Sequence, residues 1–530
     1  MDQGQGLVVR GCVTSDQPKL PAKGKKSFAR AGQRQFAFID NTSLSLRDPE
    51  VRRSIRAQAR RKRRPERVED SSWLASVLDD GETDPGAGQQ RSLIHLEVPA
   101  AEPQIEQTLG HAFSFLTFPV GEVKPYMRFL IQHCMLPIHH QQPPSSTNLR
   151  HPPPVFTTVA EAMYPLEHCL RMTTAGNIFF HLVSTDIAYF HSALFSSSCC
   201  MRLFLGNSGV QDETANAAWH LDQTIRLVNE RLADTNAAIS DANIGVVTGL
   251  TLTEALMENY SSAAVHMNGL QRMVELRGGL MVFKDSRHLL YKICRADITH
   301  AIATSSAPRF LRDDITWDAF VPQLGPDSTP APKDALQEII APFDTRFVNI
   351  VRDVHGITYA INLAHSTSHK LDPLLFQELV VSIQYRLLWL PFIDDVWRPG
   401  NPVEEAFRLG ILAYLSTLFL QFPKGLISWT ALLQHLTTSL ESLRMKRESS
   451  VTGSFLLWLH FLGWAAGGPS NRAWFLEGFR NLSMELKMKS WEQAKGVMKT
   501  FFWIDDIHDG CCEGLWKAMT VSEEGRSLGL

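Results

Sequence analysis

The sequence predicts an all-α protein, a large helical array of antiparallel helix pairs behind a disordered basic N-terminal arm. Three observations predict it. From about residue 106 onward, apolar residues recur at three- and four-residue steps, the period of a helix with one buried face. Strand-like alternation between turn signals is scarce. The charge is also split: residues 1–67 hold 17 Lys/Arg against 6 Asp/Glu, whereas the other 463 hold 35 against 49. A cationic arm therefore precedes a mildly acidic body. With 530 residues, 44% of them hydrophobic, the chain can fill packed cores, and its eight cysteines are too sparse for a disulfide scaffold.

The arm occupies 1–67. Residues 1–35 are rich in Gly, Gln and Lys and read as disordered. A helix start follows at Asp48-Pro49-Glu50: Asp48 can cap, Pro49 suits the first helical position, and Glu50 favours the positive end of the dipole. The helix spans about 48–64 and stops before Pro65. It carries Arg52, Arg53, Arg56, Arg60, Arg61, Lys62, Arg63 and Arg64, so positive charge covers most of its circumference. Like charges four residues apart repel, and little apolar face remains to dock on a core. Such a helix orders on an acidic partner. These eight residues are the candidates for nuclear-import or nucleic-acid contact, the partners being an import receptor or a DNA phosphate backbone. No apolar heptads follow Arg67, which excludes a leucine-zipper basic region, and backbone contact alone is salt-sensitive and poorly specific. Residues 68–105, acidic and Gly/Pro-bearing, form a linker.

The body spans 106–522. Within 214–232, Ala218, Leu221, Ile225, Val228 and Leu232 define one helical face. Residues 243–257 are apolar on most sides and read as a buried helix. In 263–277, Ala263, His266, Met267, Leu270, Met273 and Val274 share a face, and Arg277 before Gly278-Gly279 supplies a basic last turn and a stop. Further helices are expected at 286–303, 334–342, 373–390, 402–421, 428–444, 452–465, 471–487 and 490–503. Proline-bearing loops interrupt them at 139–157, 313–334 and 397–402.

Most chemistry-bearing motifs are missing. The first twenty residues lack the apolar run of a secretory signal, and no window is apolar enough to span a bilayer, so a soluble intracellular protein with no membrane partner is expected. No phosphate-binding G-x-x-x-x-G-K-[ST] or G-x-G-x-x-G occurs, nor C-x-x-C or H-E-x-x-H. His133, Cys134, His139 and His140 form the nearest approach to a metal cluster and read as a core thiol beside loop histidines. Gly206-Asn207-Ser208-Gly209 lacks the spacing of a nucleophile elbow. The strongest enzyme signal is Asp505-Asp506-Ile507-His508-Asp509. A D-D-x-x-D run on a helix can hold Mg²⁺ on a diphosphate, as in the all-α terpenoid synthases. No facing ligand set is evident, and Gly510 reads as a helix end, so the run is expected to be a solvated terminus. No catalytic residue, metal or cofactor is expected. Trp458, Trp464, Trp474, Trp491, Trp503 and Trp516 crowd the last eighty residues and read as core or helix-interface packing.

Several segments together resemble one family. Phe36-Ala-Phe-Ile-Asp40 and Asp48-Pro-Glu-Val-Arg-Arg-Ser-Ile-Arg56 with the following Arg/Lys run resemble the start of filamentous-fungal proteins that carry the fungal-specific transcription factor domain without the usual zinc cluster. His266-Met-Asn-Gly-Leu-Gln-Arg-Met-Val-Glu-Leu-Arg-Gly-Gly-Leu280, Leu290-Tyr-Lys-Ile-Cys-Arg-Ala-Asp297, Pro308-Arg-Phe310, Trp491-Glu-Gln-Ala-Lys495, Phe501-Phe-Trp-Ile-Asp505 and Leu515-Trp516 are similar to its body. The resemblance implies a helical regulatory domain, a nuclear transcriptional role beside other transcription proteins, and association with metabolic or biosynthetic gene clusters. Its small-molecule effector is unknown. The zinc cluster that reads DNA in related regulators needs six cysteines in a spacing absent here. The alternatives are the Mg²⁺-dependent enzyme and a non-transcriptional scaffold.

Overall fold

Local chemistry starts and stops the helices. In the computed structural model Ser240 accepts the Asn243 amide at 3.3 Å and opens a helix, and Asn259 accepts that of Ser262 at 3.4 Å and opens the next. Asp344, Asp372 and Asn401 do the same for three later helices, the last two with proline at the first helical position. The structure describes residues 118–120, 123–131, 166, 169–171, 178–205, 211–310, 315–321, 333–392, 401–418, 429–446 and 453–527. The arm with its eight cationic candidates, the linker, the His133–His140 cluster and the Gly206–Gly209 loop lie outside them.

Among the described residues there are seventeen α-helices and no strand. In chain order they are α1 Pro125–Leu130, α2 Ile178–Thr185, α3 Ile187–Leu205, α4 Gln211–Arg231, α5 Thr235–Ala238, α6 Asp241–Leu256, α7 Tyr260–Arg277, α8 Arg287–Thr304, α9 Asp334–Ile340, α10 Thr345–Ser366, α11 Pro373–Trp389, α12 Pro402–Ser416, α13 Thr430–Lys446, α14 Gly453–Ala465, α15 Pro469–Glu485, α16 Trp491–Met498 and α17 Asp505–Ser527. Chain neighbours pack as pairs: α3 with α4, α6 with α7, α12 with α13, α14 with α15. The short connections 257–259 and 466–468 make α6–α7 and α14–α15 antiparallel. Helix α6 touches α3, α7 and α8, and α8 also packs on α11. This central place accounts for the all-round apolar character of α6, buried from Asn243 to Thr251. None of these helices is long and apolar enough to cross a membrane.

The all-helical class is as the periodicity predicts, and Leu270, Met273 and Val274 are 0, 2 and 1% exposed. Several boundaries differ. The helix expected over 402–421 ends at Ser416, where Thr417 turns its hydroxyl onto the Tyr414 carbonyl at 2.6 Å. The one expected over 490–503 ends at Met498, and Phe501 to Ile504 run on as a buried non-helical segment. Gly510 does not end a helix: it sits exposed inside α17, which begins at Asp505. Helices α1, α2, α3, α5 and α10 arise where none was expected.

In the α14–α15 pair two glycines admit rings across the interface. A Cβ on Gly463 would lie 2.1 Å from the Phe475 ring, and one on Gly478 2.0 Å from that of His460. Packed glycines here let the two backbones approach more closely than side chains would allow.

Candidate functional site

The acidic run is built into the start of α17. Lys499 pairs with Asp505 at 2.5 Å, and Lys495 with Asp509 at 2.5 Å. The Trp503 indole N–H donates to the other Asp509 oxygen at 2.9 Å. The Asp505 amide donates to Asn362 on α10 at 3.1 Å. Asp505 and Asp506 in the first turn answer the positive end of the dipole, and lysines pair with Asp505 and with Asp509 one turn further on. Among the described residues no group of three or more His, Cys, Asp or Glu could hold a metal ion. Behind the run, the Ile504 amide donates to His508 Nδ1 at 2.9 Å, so His508 carries its proton on Nε2, against Thr417 Oγ1 at 2.9 Å. Burial lowers its pKa to about 3 and holds the ring neutral.

The tryptophans pack rather than line a groove. Trp458 is fully buried and donates to the Phe502 carbonyl at 3.0 Å, and Trp503 stacks on Phe461 at 4.9 Å. Trp474 stays 37% exposed over His460.

Three of the segments that the sequence singles out, 266–280, 290–297 and 308–310, lie on and beside α7 and α8. Arg277 ends α7 with its guanidinium on the Ile239 carbonyl and on Asp241 at 2.7 Å, which ties the end of α7 to the start of α6. Gly278 and Gly279 follow at φ of 107° and 97°, in the left-handed region where a Cβ is costly. Leu280 then drops into the core at 5% exposure.

Across from this turn runs a strap, the chain between α8 and α9, described over 305–310 and 315–321. Two fully buried carboxylates clip it. Asp297 on α8 accepts the Arg309 amide at 2.8 Å, the Phe310 amide at 3.0 Å and the Tyr385 hydroxyl at 2.9 Å. Asp353 on α10 accepts the Phe320 and Val321 amides, both at 2.9 Å, and the Arg386 guanidinium at 2.6 Å. Burial raises the Asp297 pKa against the pull of these donors. Burial also lowers that of Arg386, although Asp353 opposes the shift, and the guanidinium lies over the Phe320 ring at 5.1 Å. Tyr385 and Arg386 are consecutive residues of α11, so one helix braces both clips. The sequence reading missed this arrangement, although a lone Asp inside the apolar faces of α8 and of α10 is its signal.

Between the turn and the strap lies a cavity of about 200 Å³. Val274, Leu280 and Phe310 line it with apolar surface, and Gln271, Glu275 and Arg309 with polar groups. The Arg309 guanidinium is held by Asn268 at 2.6 Å, Gln271 at 3.3 Å and His300 at 3.0 Å. Burial, with Arg309 adding to it, lowers the His300 pKa to about 4, and the neutral ring accepts through Nε2. His266, on the buried face of α7, is likewise lowered by burial to about 4.

Fold and site together define an all-helical domain with one strap clipped by two buried carboxylates and a small recess beside it. The model of the fungal specific transcription factor domain matches residues 156–519, and the chain belongs to that family. No curated protein and no solved structure matches it.

Proposed function

We propose that the protein is a nuclear transcription regulator in which the helical body receives a partner or effector and the N-terminal cationic segment serves import or contact with phosphate. The observation that carries this reading is the family match over 156–519, which covers both clips and the cavity. The surplus of 17 Lys/Arg over 6 Asp/Glu in residues 1–67 supports the role of the arm. Kinship of sequence supports a place beside a metabolic or biosynthetic gene cluster, with other transcription proteins as partners. Without a six-cysteine zinc reader, DNA contact through Arg52, Arg53, Arg56 and 60–64 is to the backbone, and target choice belongs to a partner. The Mg²⁺-dependent enzyme gains no support, since lysines occupy the acids it would need.

The test is a fluorescent fusion of the full chain combined with transcript profiling of a deletion strain. The fusion accumulates in nuclei, alanines at 60–64 abolish that accumulation, and the deletion changes a coherent set of transcripts. Undiminished nuclear entry of the alanine variant removes the arm from the mechanism. An unaltered transcriptome overturns the regulatory role.

A further inference from the structure

In the recess between the Arg277-Gly-Gly-Leu280 turn and the strap, a fixed cation stands beside an apolar floor. A guanidinium offers five N–H donors. The bonds to Asn268 and Gln271 use both on Nη1 of Arg309, and the bond to His300 uses one on Nη2. Among the described residues no acceptor meets the Nε–H or the second Nη2–H. Nε and Nη2 share one edge of the guanidinium plane, the spacing that accepts both oxygens of a carboxylate. All three acceptors that hold the group are neutral. Asp297 spends its oxygens on backbone amides and Tyr385 rather than on the guanidinium. The charge is therefore positioned without being hydrogen-bonded to a carboxylate side chain among the described residues, and the ordering of a long side chain is already complete before a ligand arrives.

The floor is made of Val274, Leu280 and Phe310, which are 1, 5 and 6% exposed. At about 200 Å³ the recess is smaller than the roughly 300–1,000 Å³ of sites for drug-sized molecules. It suits a ligand of on the order of ten non-hydrogen atoms. Glu275 on the rim opposes a second negative charge, which favours a monoanion over a phosphate dianion.

The geometry points to a binding site for a small monocarboxylate with a compact apolar body, its carboxylate on Arg309 and its body against Val274, Leu280 and Phe310. The site does not depend on the regulatory reading. A regulator would use it for an effector, and the chemistry is the same without that role.

The experiment titrates the full chain with benzoate, with the neutral isostere benzamide and with phenyl phosphate, by saturation-transfer NMR and calorimetry. Benzoate binds with a Kd on the order of 1 mM, as expected for so few atoms. Benzamide and phenyl phosphate bind at least about tenfold more weakly. Arg309→Gln weakens benzoate by about tenfold or more. Because Arg309 also ties the strap to α7, a second variant separates binding from folding. Glu275→Gln, at an exposed position, tightens benzoate by about threefold and narrows its lead over phenyl phosphate. Equal binding of benzoate and benzamide, no benzoate binding up to about 20 mM, or an unaltered benzoate affinity in Glu275→Gln would each overturn the proposal.

Discussion

Replacing Asp353 by Asn keeps its volume and removes its charge. The Arg386 guanidinium then stays fully buried with no anion, its Nη1 already without a hydrogen-bond partner. Breaking a buried pair by removing one partner costs about 3–5 kcal/mol, because the remaining charge is left uncompensated. The two strap amides lose part of their acceptor as well, at about 1 kcal/mol each. Against a total stability of about 5–15 kcal/mol this is a large fraction. Arg386→Met leaves a carboxylate that still receives two amides, and costs less, about 2–3 kcal/mol. The double variant removes both charges from the interior. Its cost therefore falls short of the summed single costs by about 2 kcal/mol or more. Urea unfolding followed by tryptophan fluorescence gives the four stabilities. Hydrogen exchange at Phe320 and Val321 reads the clip locally, and both amides exchange faster in Asp353→Asn. Single costs that add to within about 0.5 kcal/mol, with exchange unchanged, refute the reasoning.

Three further outcomes follow from the same structure. Burial lowers His220 and His508 to about 3, and His266 and His460 to about 4, from an ordinary 6.5. The unfolded chain therefore binds more protons below pH 6.5, and these rings draw stability down from there by up to about 1.4 kcal/mol per pH unit each. A urea midpoint that holds steady or rises from about pH 7 to pH 5 contradicts this. Gly278→Ala, at a φ of 107°, costs about 1 kcal/mol, read as a lower melting temperature, whereas Gly510→Ala, exposed within α17, stabilises by about 0.5–1 kcal/mol. Asp509→Asn costs about 1 kcal/mol by loss of the Lys495 pair at the start of α17, and millimolar Mg²⁺ leaves the melting temperature of either protein where it was; a Mg²⁺-dependent rise confined to the unsubstituted chain would revive the enzyme alternative.

Helix class and the place of most helices were legible because a buried face repeats every three or four residues, whereas the caps Ser240, Asn259, Asp372 and Asn401 emerged only from the structure. Helix α3 was harder to read. Its Ser196-Ser197-Ser198-Cys199-Cys200 stretch has weak helix propensity, yet Ser196 and Ser198 turn their hydroxyls onto carbonyls four residues back, at 3.0 and 2.9 Å. In α10 the apolar face of Phe347, Ile350, Val351, Val354, Ile357 and Ile361 was there to be read, with Asp353 set among them. The start of α17 was misjudged because Gly510 looked like a stop, and its lysine partners lie 6 to 14 residues upstream on another element. The strap clips were beyond sequence reasoning for a plainer reason. Asp297 and Tyr385 stand 88 positions apart, and Asp353 lies 32 from the amide it accepts at Val321. The Arg-Gly-Gly-Leu turn was legible as a helix stop but not as one wall of a cavity, since its opposite wall arrives from the strap.

The adjacency of Tyr385 and Arg386 has a consequence for what the gene can tolerate. Consecutive residues on an α-helix point about 100° apart, and these two directions serve two different aspartates on two different helices. Inserting or deleting one codon between Pro373 and Tyr385 would swing both side chains off target together. Length polymorphism is thus forbidden across Pro373–Tyr385, and because every residue from Leu379 to Leu388 is buried, only the first turns of α11 remain free to drift in sequence.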